Sequence, residues 1–146
     1  MGHFDLCIVG TGSGNSIVDA RFDHLSVALV EMGTFGGTCL NVGCIPSKML
    51  VHPADLAASI VQATRLGVDL DLRGVRWRDI QERIFGRIDP MAAKGRGYRQ
   101  RSENVTVFDG RARFVGRREL DVGAAETIGA DQVVIATGSR PVVPYL

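Results

Sequence analysis

The sequence predicts an α/β fold in which a parallel sheet is joined to a small antiparallel β-meander. Phe4 to Val9 is an apolar run typical of a buried parallel strand, and the turn Gly10 to Asn15 leads into a helix expected to end near His24. Ser26 to Val30 then predicts a second strand, which completes a βαβ opening. Asp131 to Ala136 returns later as a further apolar strand.

Two helices are predicted between these strands. Pro53 to Asp55 is expected to start the first, because proline favours the first turn of a helix. Apolar side chains recur at helical spacing from Trp77 to Ile88 in the second, and Asp89-Pro90 is expected to break or kink it. The meander is predicted from short alternating segments separated by glycine turns: 105–107, 111–115, 119–122 and 127–128.

Composition and charge favour one soluble domain without a charged macromolecular partner. The 146 residues are 45% hydrophobic and 23% charged, with a formal net charge of +1. This balance gives no reason to expect nucleic acid or an anionic membrane as partner. The apolar run Phe4 to Val9 is interrupted by Asp5 and is too short for a signal core or a membrane span, so a cytoplasmic location is expected.

The turn after the first strand has the features of a dinucleotide-binding motif. Gly10 permits the tight turn, and Gly12 lets backbone amides approach a pyrophosphate. Glu31 follows about 20 residues later, where an acidic side chain can bind a ribose. The third position is Asn15 instead of Gly or Ala, so close helix packing is expected to depend on Gly14. A plain glycine-rich turn is the alternative interpretation.

Cys39 and Cys44 are five residues apart in a segment rich in glycine. Five residues of regular helix rise about 7.5 Å, whereas a disulfide needs Cα atoms within about 6.8 Å. Glycines before and between the cysteines, together with Pro46, provide the backbone freedom to bring the two thiols together at the entry to a helix. In reducing cytosol such a pair is more often catalytic, redox-sensing or metal-binding than structural.

Zinc and inert core thiols are the alternatives for this pair. Structural zinc needs four ligands, and no second Cys or His pair accompanies the two cysteines, so no metal site is predicted. Cys7 lies in the first strand and is predicted to be a small core residue. Lys48 follows Cys44 by one helical turn, where its ammonium can support a thiolate or remain solvated. A basic cluster is interpreted as a solvated helix face: Lys94, Arg96, Arg99 and Arg101.

Taken together, these motifs resemble the FAD domain of the pyridine nucleotide-disulfide oxidoreductases. Four segments carry the resemblance: Gly10 to Gly14, Glu31, Gly37 to Lys48, and Ala136 to Pro141. The resemblance implies a Rossmann-like FAD-binding domain in an enzyme that passes electrons from NAD(P)H through FAD to a redox disulfide. The cysteine segment fits dihydrolipoamide- and glutathione-linked members of the family equally well.

Other segments resemble the branch of the family that acts on mycothiol disulfide. They are Asn15-Ser16, Val75 to Trp77, and Phe85 to Pro90. The resemblance implies that Cys39 attacks the substrate disulfide, that Cys44 faces the flavin and resolves the mixed disulfide, and that Lys48 assists. It also implies a set of FAD-lining residues: Gly10, Gly12, Ser13, Gly14, Glu31, Gly37, Thr38, Cys39, Lys48, Ala112, Thr137 and Gly138.

Residues 1–146 are expected to form the N-terminal part of the FAD-binding domain. Family members are several times longer, so the nicotinamide-binding domain and the dimer-interface domain of the homodimer are expected to be absent from this chain. On that expectation the isolated chain is inactive and binds FAD weakly or not at all. A non-catalytic FAD- or nucleotide-binding redox module is the alternative from another class, and a plain nicotinamide dehydrogenase is disfavoured by the cysteine segment.

Overall fold

A computed structural model describes residues 1–140 and 142–145 of the chain. The regular elements are β1 (Gly2–Val9), β2 (Val27–Glu31), α1 (Gly37–Asn41), α2 (Cys44–Arg65), α3 (Trp77–Arg101), β3 (Val105–Asp109), β4 (Arg113–Gly116), β5 (Glu119–Asp121) and β6 (Thr127–Ile135). The strands form one sheet in the order β3-β2-β1-β6-β5-β4. No helix in the described residues is both long and apolar enough to cross a membrane.

The sheet combines a parallel part with an antiparallel part, which confirms the predicted fold class. β1 lies between β2 and β6 and pairs with both in parallel, and β3 pairs with β2 in parallel. β5 and β4 continue the sheet in antiparallel pairing beyond β6. Because β1, β2, β3 and β6 run in the same direction, their carboxyl ends meet at one edge, where ligands bind in open α/β sheets.

Side chains from β1 and β2 are buried on both faces of the sheet. Ile8 and Leu29 lie in a cluster on one face, whereas Cys7, Ala28 and Val30 lie in a cluster on the other. Burial on both faces is why these strands are continuous apolar runs. Cys7 is fully buried, and burial raises the pKa of its thiol to about 11, so it is the core residue that the sequence predicts.

The helix predicted from the glycine turn to His24 is wrong. Two short 3₁₀ helices, Ser13–Ile17 and Ala20–Phe22, occupy this segment. Small polar side chains bond to the local backbone here: the Ser16 hydroxyl donates to the Ser13 carbonyl, and Asp19 accepts from the Arg21 amide. Such bonds compete with an α-helical ladder, and a segment rich in Ser, Asn, Asp and Gly has low helix propensity.

The predicted start of the first long helix is wrong, and the break expected at Asp89-Pro90 in the second does not occur. α2 begins at Cys44, nine residues before Pro53, and contains that proline. α3 continues through Pro90 to Arg101. Pro90 itself is exposed, whereas Ile84 and Ile88 before it are buried, as is Ala92 after it. Packing on both sides of the proline therefore outweighs the lost backbone hydrogen bond, which costs about 3 kcal/mol.

The predicted meander is smaller than expected and belongs to the main sheet. Residues 105–107 lie in β3, a parallel edge strand beside β2. Residues 127–128 and 131–135 form one continuous strand, β6, whose first part pairs with both β5 and β1. β6 thus belongs to both the parallel and the antiparallel part of the sheet. The alternation of apolar and polar residues within a short segment cannot reveal this, because the pairing partners are distant in sequence.

Arg99 departs from the predicted solvated basic face. Only 9% of this residue is exposed. Its Nε donates to Asn15 Oδ1 at 2.9 Å, and its Nη2 donates to the carbonyls of Asn15 at 2.8 Å and Val18 at 2.9 Å. The last turn of α3 therefore holds the first 3₁₀ helix in place, since the Arg99 guanidinium donates to carbonyls at the end of that helix.

Candidate functional site

A cleft of about 950 Å³ opens at the carboxyl edge of the parallel strands. Its walls are the glycine turn after β1, the end of β2, α1, the first residue of α2, and the segments that follow β3 and β6. This volume lies at the upper end of the range for small-molecule sites, about 300 to 1,000 Å³. The cleft is therefore large enough for an extended ligand.

The glycine turn packs closely against the segment that follows β6. A Cβ added to Gly14 would lie 2.3 Å from the Ala136 Cβ, a distance that real side chains do not show. The close approach normally made at the third motif position is therefore made at Gly14, as expected from the sequence. Asn15 instead turns its side-chain oxygen toward Arg99.

Glu31 lines the cleft and is held there by hydrogen bonds from the glycine turn and from Gly33. Its Oε2 accepts from the Thr11 amide at 2.9 Å and from the Thr11 hydroxyl at 2.6 Å, while Oε1 accepts from the Gly33 amide at 2.9 Å. Partial burial raises the pKa of the carboxyl, but these hydrogen bonds outweigh it and leave the pKa below its ordinary value. Glu31 is therefore an ionised acceptor with a fixed orientation.

Cys39 and Cys44 line the same cleft as Glu31. Cys39 lies in α1, Cys44 is the first residue of α2, and both are exposed free thiols that line the cleft. Gly43 makes this possible, because a Cβ at this position would lie 2.8 Å from the Thr38 carbonyl oxygen. A hydrogen bond to the Cys44 side chain raises the pKa of the Cys39 thiol, and the charge of Lys48 acts in the opposite sense.

Two exposed thiols that line the same cleft can exchange with an external disulfide. The attacking species in such exchange is a thiolate, and the second thiol can displace the first from a mixed disulfide. Cys7 takes no part, because it is fully buried in the sheet. The chemistry available to this site is therefore reversible dithiol oxidation.

The structure brings nearly all predicted site residues into this one cleft. The residues that line it are Gly10, Gly12, Ser13, Gly14, Glu31, Gly37, Thr38, Cys39, Cys44, Ala112, Thr137 and Gly138. Lys48 does not line it: the side chain is exposed on α2, one turn beyond Cys44, and its charge lowers the pKa of the Cys39 thiol. Pro141, which closes the last predicted motif, lies outside the described residues.

Sequence reasoning missed several residues of the cleft. Arg111 and Arg140 line it and bring two cations to its wall, and Met32 lines it beside Glu31. Thr11 is 1% exposed and makes the hydrogen bonds that orient Glu31. The available signal for Thr11 was its hydroxyl inside a glycine turn, where a small polar side chain can bond to neighbouring backbone.

Comparisons with known proteins agree with this geometry. The chain matches the sequence model of the family described as pyridine nucleotide-disulphide oxidoreductase over residues 4–146. Mycothione reductase from Mycobacterium tuberculosis is 51% identical over 146 residues, which cover 97% of this chain and 32% of that protein. Dihydrolipoyl dehydrogenase from Thermus scotoductus is 36% identical, with 94% of this chain and 30% of that protein covered.

A solved structure shares the fold. The HOCl-induced flavoprotein disulfide reductase RclA from Escherichia coli superimposes with a TM-score of 0.77 at 27% identity, covering 96% of this chain and 29% of that chain. The chain thus spans about a third of the length of the curated relatives it matches.

Proposed function

The chain belongs to the pyridine nucleotide-disulphide oxidoreductase family, and we propose that it carries the flavin site and the redox dithiol of a mycothiol disulfide reductase. One observation carries the proposal: a single cleft is lined by the glycine turn, by Glu31 and by both Cys39 and Cys44. A nucleotide-binding turn alone fits many dehydrogenases, whereas a dithiol in the same cleft calls for a disulfide as electron acceptor or donor.

The residues of the cleft fit FAD. The turn from Gly10 to Gly14 presents backbone to the cleft with short side chains only at Thr11 and Ser13, which suits the approach of a pyrophosphate. Glu31 is ionised, and its Oε1 accepts one hydrogen bond, from the Gly33 amide, so this oxygen retains capacity for a ribose hydroxyl. Gly37, Thr38 and Cys39 extend the lining toward the dithiol, and Ala112, Thr137 and Gly138 complete it.

The two thiols then have distinct roles in reducing the substrate. In the proposal Cys39, as thiolate, attacks one sulfur of mycothiol disulfide, and the substrate S–S bond breaks to release one mycothiol, which takes up a proton. Cys44, as thiolate after losing its proton to solvent, next attacks the Cys39 sulfur of the mixed disulfide and releases the second mycothiol, which takes up a proton. The substrate gains two electrons and the dithiol becomes a Cys39–Cys44 disulfide. FAD, when bound, supplies two-electron transfer from NAD(P)H to this disulfide.

The choice of mycothiol disulfide is supported by the 51% identical mycothione reductase and by the Asn15-Ser16 segment. Steady-state assays on the protein expressed from its complete gene test it with mycothiol disulfide, glutathione disulfide and lipoamide, each with NADH and NADPH. The highest kcat/KM is expected for mycothiol disulfide. A higher value for lipoamide would assign the protein to dihydrolipoamide chemistry, and bound flavin without turnover would identify a redox module.

The roles of the thiols are tested by Cys39→Ser and Cys44→Ser, with Cys7→Ala as the matched control. Cys39→Ser is expected to retain a long-wavelength flavin–thiolate charge-transfer band, because the Cys44 thiolate beside the flavin has lost its disulfide partner. Cys44→Ser is expected to lose the band, and Cys7→Ala should behave like the parent. Reversed spectra would exchange the two assignments.

The remaining parts of the proposal concern the whole protein. Because residues 1–146 cover 32% of the mycothione reductase, we place the nicotinamide-binding and dimer-interface domains of a homodimer outside this stretch. We also propose a cytoplasmic location, where a reducing environment suits a dithiol that must cycle instead of remaining oxidised.

A further inference from the structure

Thr11 connects three segments that meet at the cleft. It is 1% exposed, and its backbone amide and hydroxyl both donate to Glu31 Oε2, at 2.9 Å and 2.6 Å. The same hydroxyl oxygen accepts from the Gly36 amide at 3.1 Å. One side chain therefore bonds to the carboxylate at the end of β2 and to the residue that caps α1.

The bond to Gly36 fixes the beginning of the helix that carries Cys39. Gly36 is the N-cap of α1 and has a left-handed φ of 105°. The next residue is in direct backbone contact with the glycine turn, since a Cβ on Gly37 would lie 2.5 Å from the Gly12 Cα. The first residues of α1 and the glycine turn are thus one packed unit, with the Thr11 hydroxyl as its polar link.

The bond to Glu31 has an electrostatic consequence. The Glu31 carboxylate is ionised and partly buried, so it needs hydrogen-bond donors to remain stable in this position. A valine at position 11 would keep the shape of threonine and the backbone amide, but it would remove the donor to Oε2 and the acceptor for Gly36. Both neighbours would lose a partner at the same time.

We propose that Thr11 is a positioning residue that couples the nucleotide end of the cleft to the dithiol helix. Its hydroxyl fixes the rotamer of Glu31, which binds the ribose, and it anchors the N-terminus of α1. Binding of a ribose to Glu31 therefore stabilises α1, the helix that carries Cys39. This inference rests on the proposed FAD site.

The test compares Thr11→Val with the conservative Thr11→Ser in the protein expressed from its complete gene and stripped of flavin. Thr106→Val is the matched control, because Thr106 is exposed on β3 and does not line the cleft. FAD affinity is measured by fluorescence titration. Amide exchange in residues 36–41 is measured with and without ADP, a probe that offers a ribose and a pyrophosphate but no flavin ring.

Thr11→Val is expected to bind FAD about tenfold more weakly, because binding must now order the Glu31 side chain. Its exchange in residues 36–41 is expected to be about tenfold faster without ligand, because an amide hydrogen bond is lost. ADP should slow this exchange in the parent, in Thr11→Ser and in Thr106→Val, but not in Thr11→Val. A purely structural role for Thr11 would not remove that response to ligand.

The inference is overturned if ADP protects residues 36–41 equally in Thr11→Val, or if Thr11→Ser behaves like Thr11→Val. If Thr11→Val fails to fold, Thr11→Ala decides by the same comparison: loss of the ADP response in residues 36–41 supports the coupling, and a response equal to that of the parent refutes it. A parent that binds neither FAD nor ADP refutes the proposed function itself, and the coupling with it.

Discussion

The two long helices have similar lengths and each contains a proline, yet they relate to the rest of the protein in opposite ways. α3 buries Ile84, Ile88, Ala92 and Arg99. α2 has 22 residues and buries only Pro46, in its first turn. Helices derive most of their stability in proteins from packing of an apolar face. α3 is therefore part of the core in this chain, whereas α2 contributes chiefly through its first residue, Cys44.

The difference shows that α3 chiefly provides stability, whereas the start of α2 provides chemistry. A thiol that exchanges with an external disulfide must be accessible, and Cys44 is exposed at the start of α2. The last turn of α3 instead holds the glycine turn through the buried Arg99. Substitutions in α3 should therefore act on folding, and substitutions at the start of α2 should act on activity.

The largest effect is expected at Cys44. Cys44→Ser should lower disulfide reductase activity of the protein from its complete gene by about a thousandfold or more, because the resolving thiol is lost. The free energy of unfolding should change by less than about 0.5 kcal/mol, because the side chain is exposed. Ser47→Ala, exposed in the same turn, is the control and should keep both properties. A large loss of stability in Cys44→Ser would contradict the assignment of activity to the start of α2 and of stability to α3.

The next largest effect is expected in the core face of α3. Ile84→Ala should reduce the free energy of unfolding by about 2 to 5 kcal/mol, because it leaves a cavity at a fully buried position. Val61→Ala in α2 should cost less than about 0.5 kcal/mol, because this side chain is largely exposed. Chemical denaturation of both variants measures the difference, and equal costs would show that α2 is packed as tightly as α3.

A smaller effect is expected at the polar end of α3. Arg99→Met should reduce the free energy of unfolding by about 1 to 3 kcal/mol, because it leaves the Asn15 side-chain oxygen and the Val18 carbonyl without the donors that Arg99 supplies. Arg101→Met is the matched control, since Arg101 is exposed two residues later in the same helix. If the two variants lose the same stability, the hydrogen bonds from Arg99 to Asn15 and Val18 contribute nothing to the free energy of unfolding.

The smallest effect concerns the titration of Cys39 in the reduced protein. The hydrogen bond to Cys44 raises the pKa of Cys39, so the thiol form is favoured in the folded protein and this contribution disappears as the pH rises through that pKa. In Cys44→Ala the pH midpoint for alkylation of Cys39 by iodoacetamide should therefore move down.

Lys48→Met tests the opposite influence on the same thiol. The positive charge of Lys48 lowers the pKa of Cys39, so its removal should move the alkylation midpoint up. Lys94→Met, which removes an exposed lysine from α3, should leave the midpoint unchanged. An unchanged midpoint in Lys48→Met would show that its charge does not reach the thiol.

The sequence by itself determined three of the four parallel strands, β1, β2 and β6, and most of the residues that line the cleft. Continuous apolar runs identify β1 and β2 because both faces of these strands are buried. The glycine-rich turn could be interpreted from the sequence because it depends only on backbone geometry directly after a strand. The five-residue cysteine spacing could be interpreted because it depends only on the distance between two neighbouring thiols. For the same reason Glu31, Cys39 and Cys44 could be named before the fold was known.

Only the tertiary structure decided how far the helices extend and which polar groups hold the cleft. α3 continues through Pro90 because distant packing outweighs a local penalty, and residues 13–17 form a 3₁₀ helix held by an arginine 84 positions away from Asn15. Thr11 acquires its role by lying between Glu31 and Gly36, 20 and 25 residues further along the chain. Hydrogen bonds between segments so far apart leave no periodic trace in a sequence, because their partners are chosen by the folded arrangement and not by neighbouring residues.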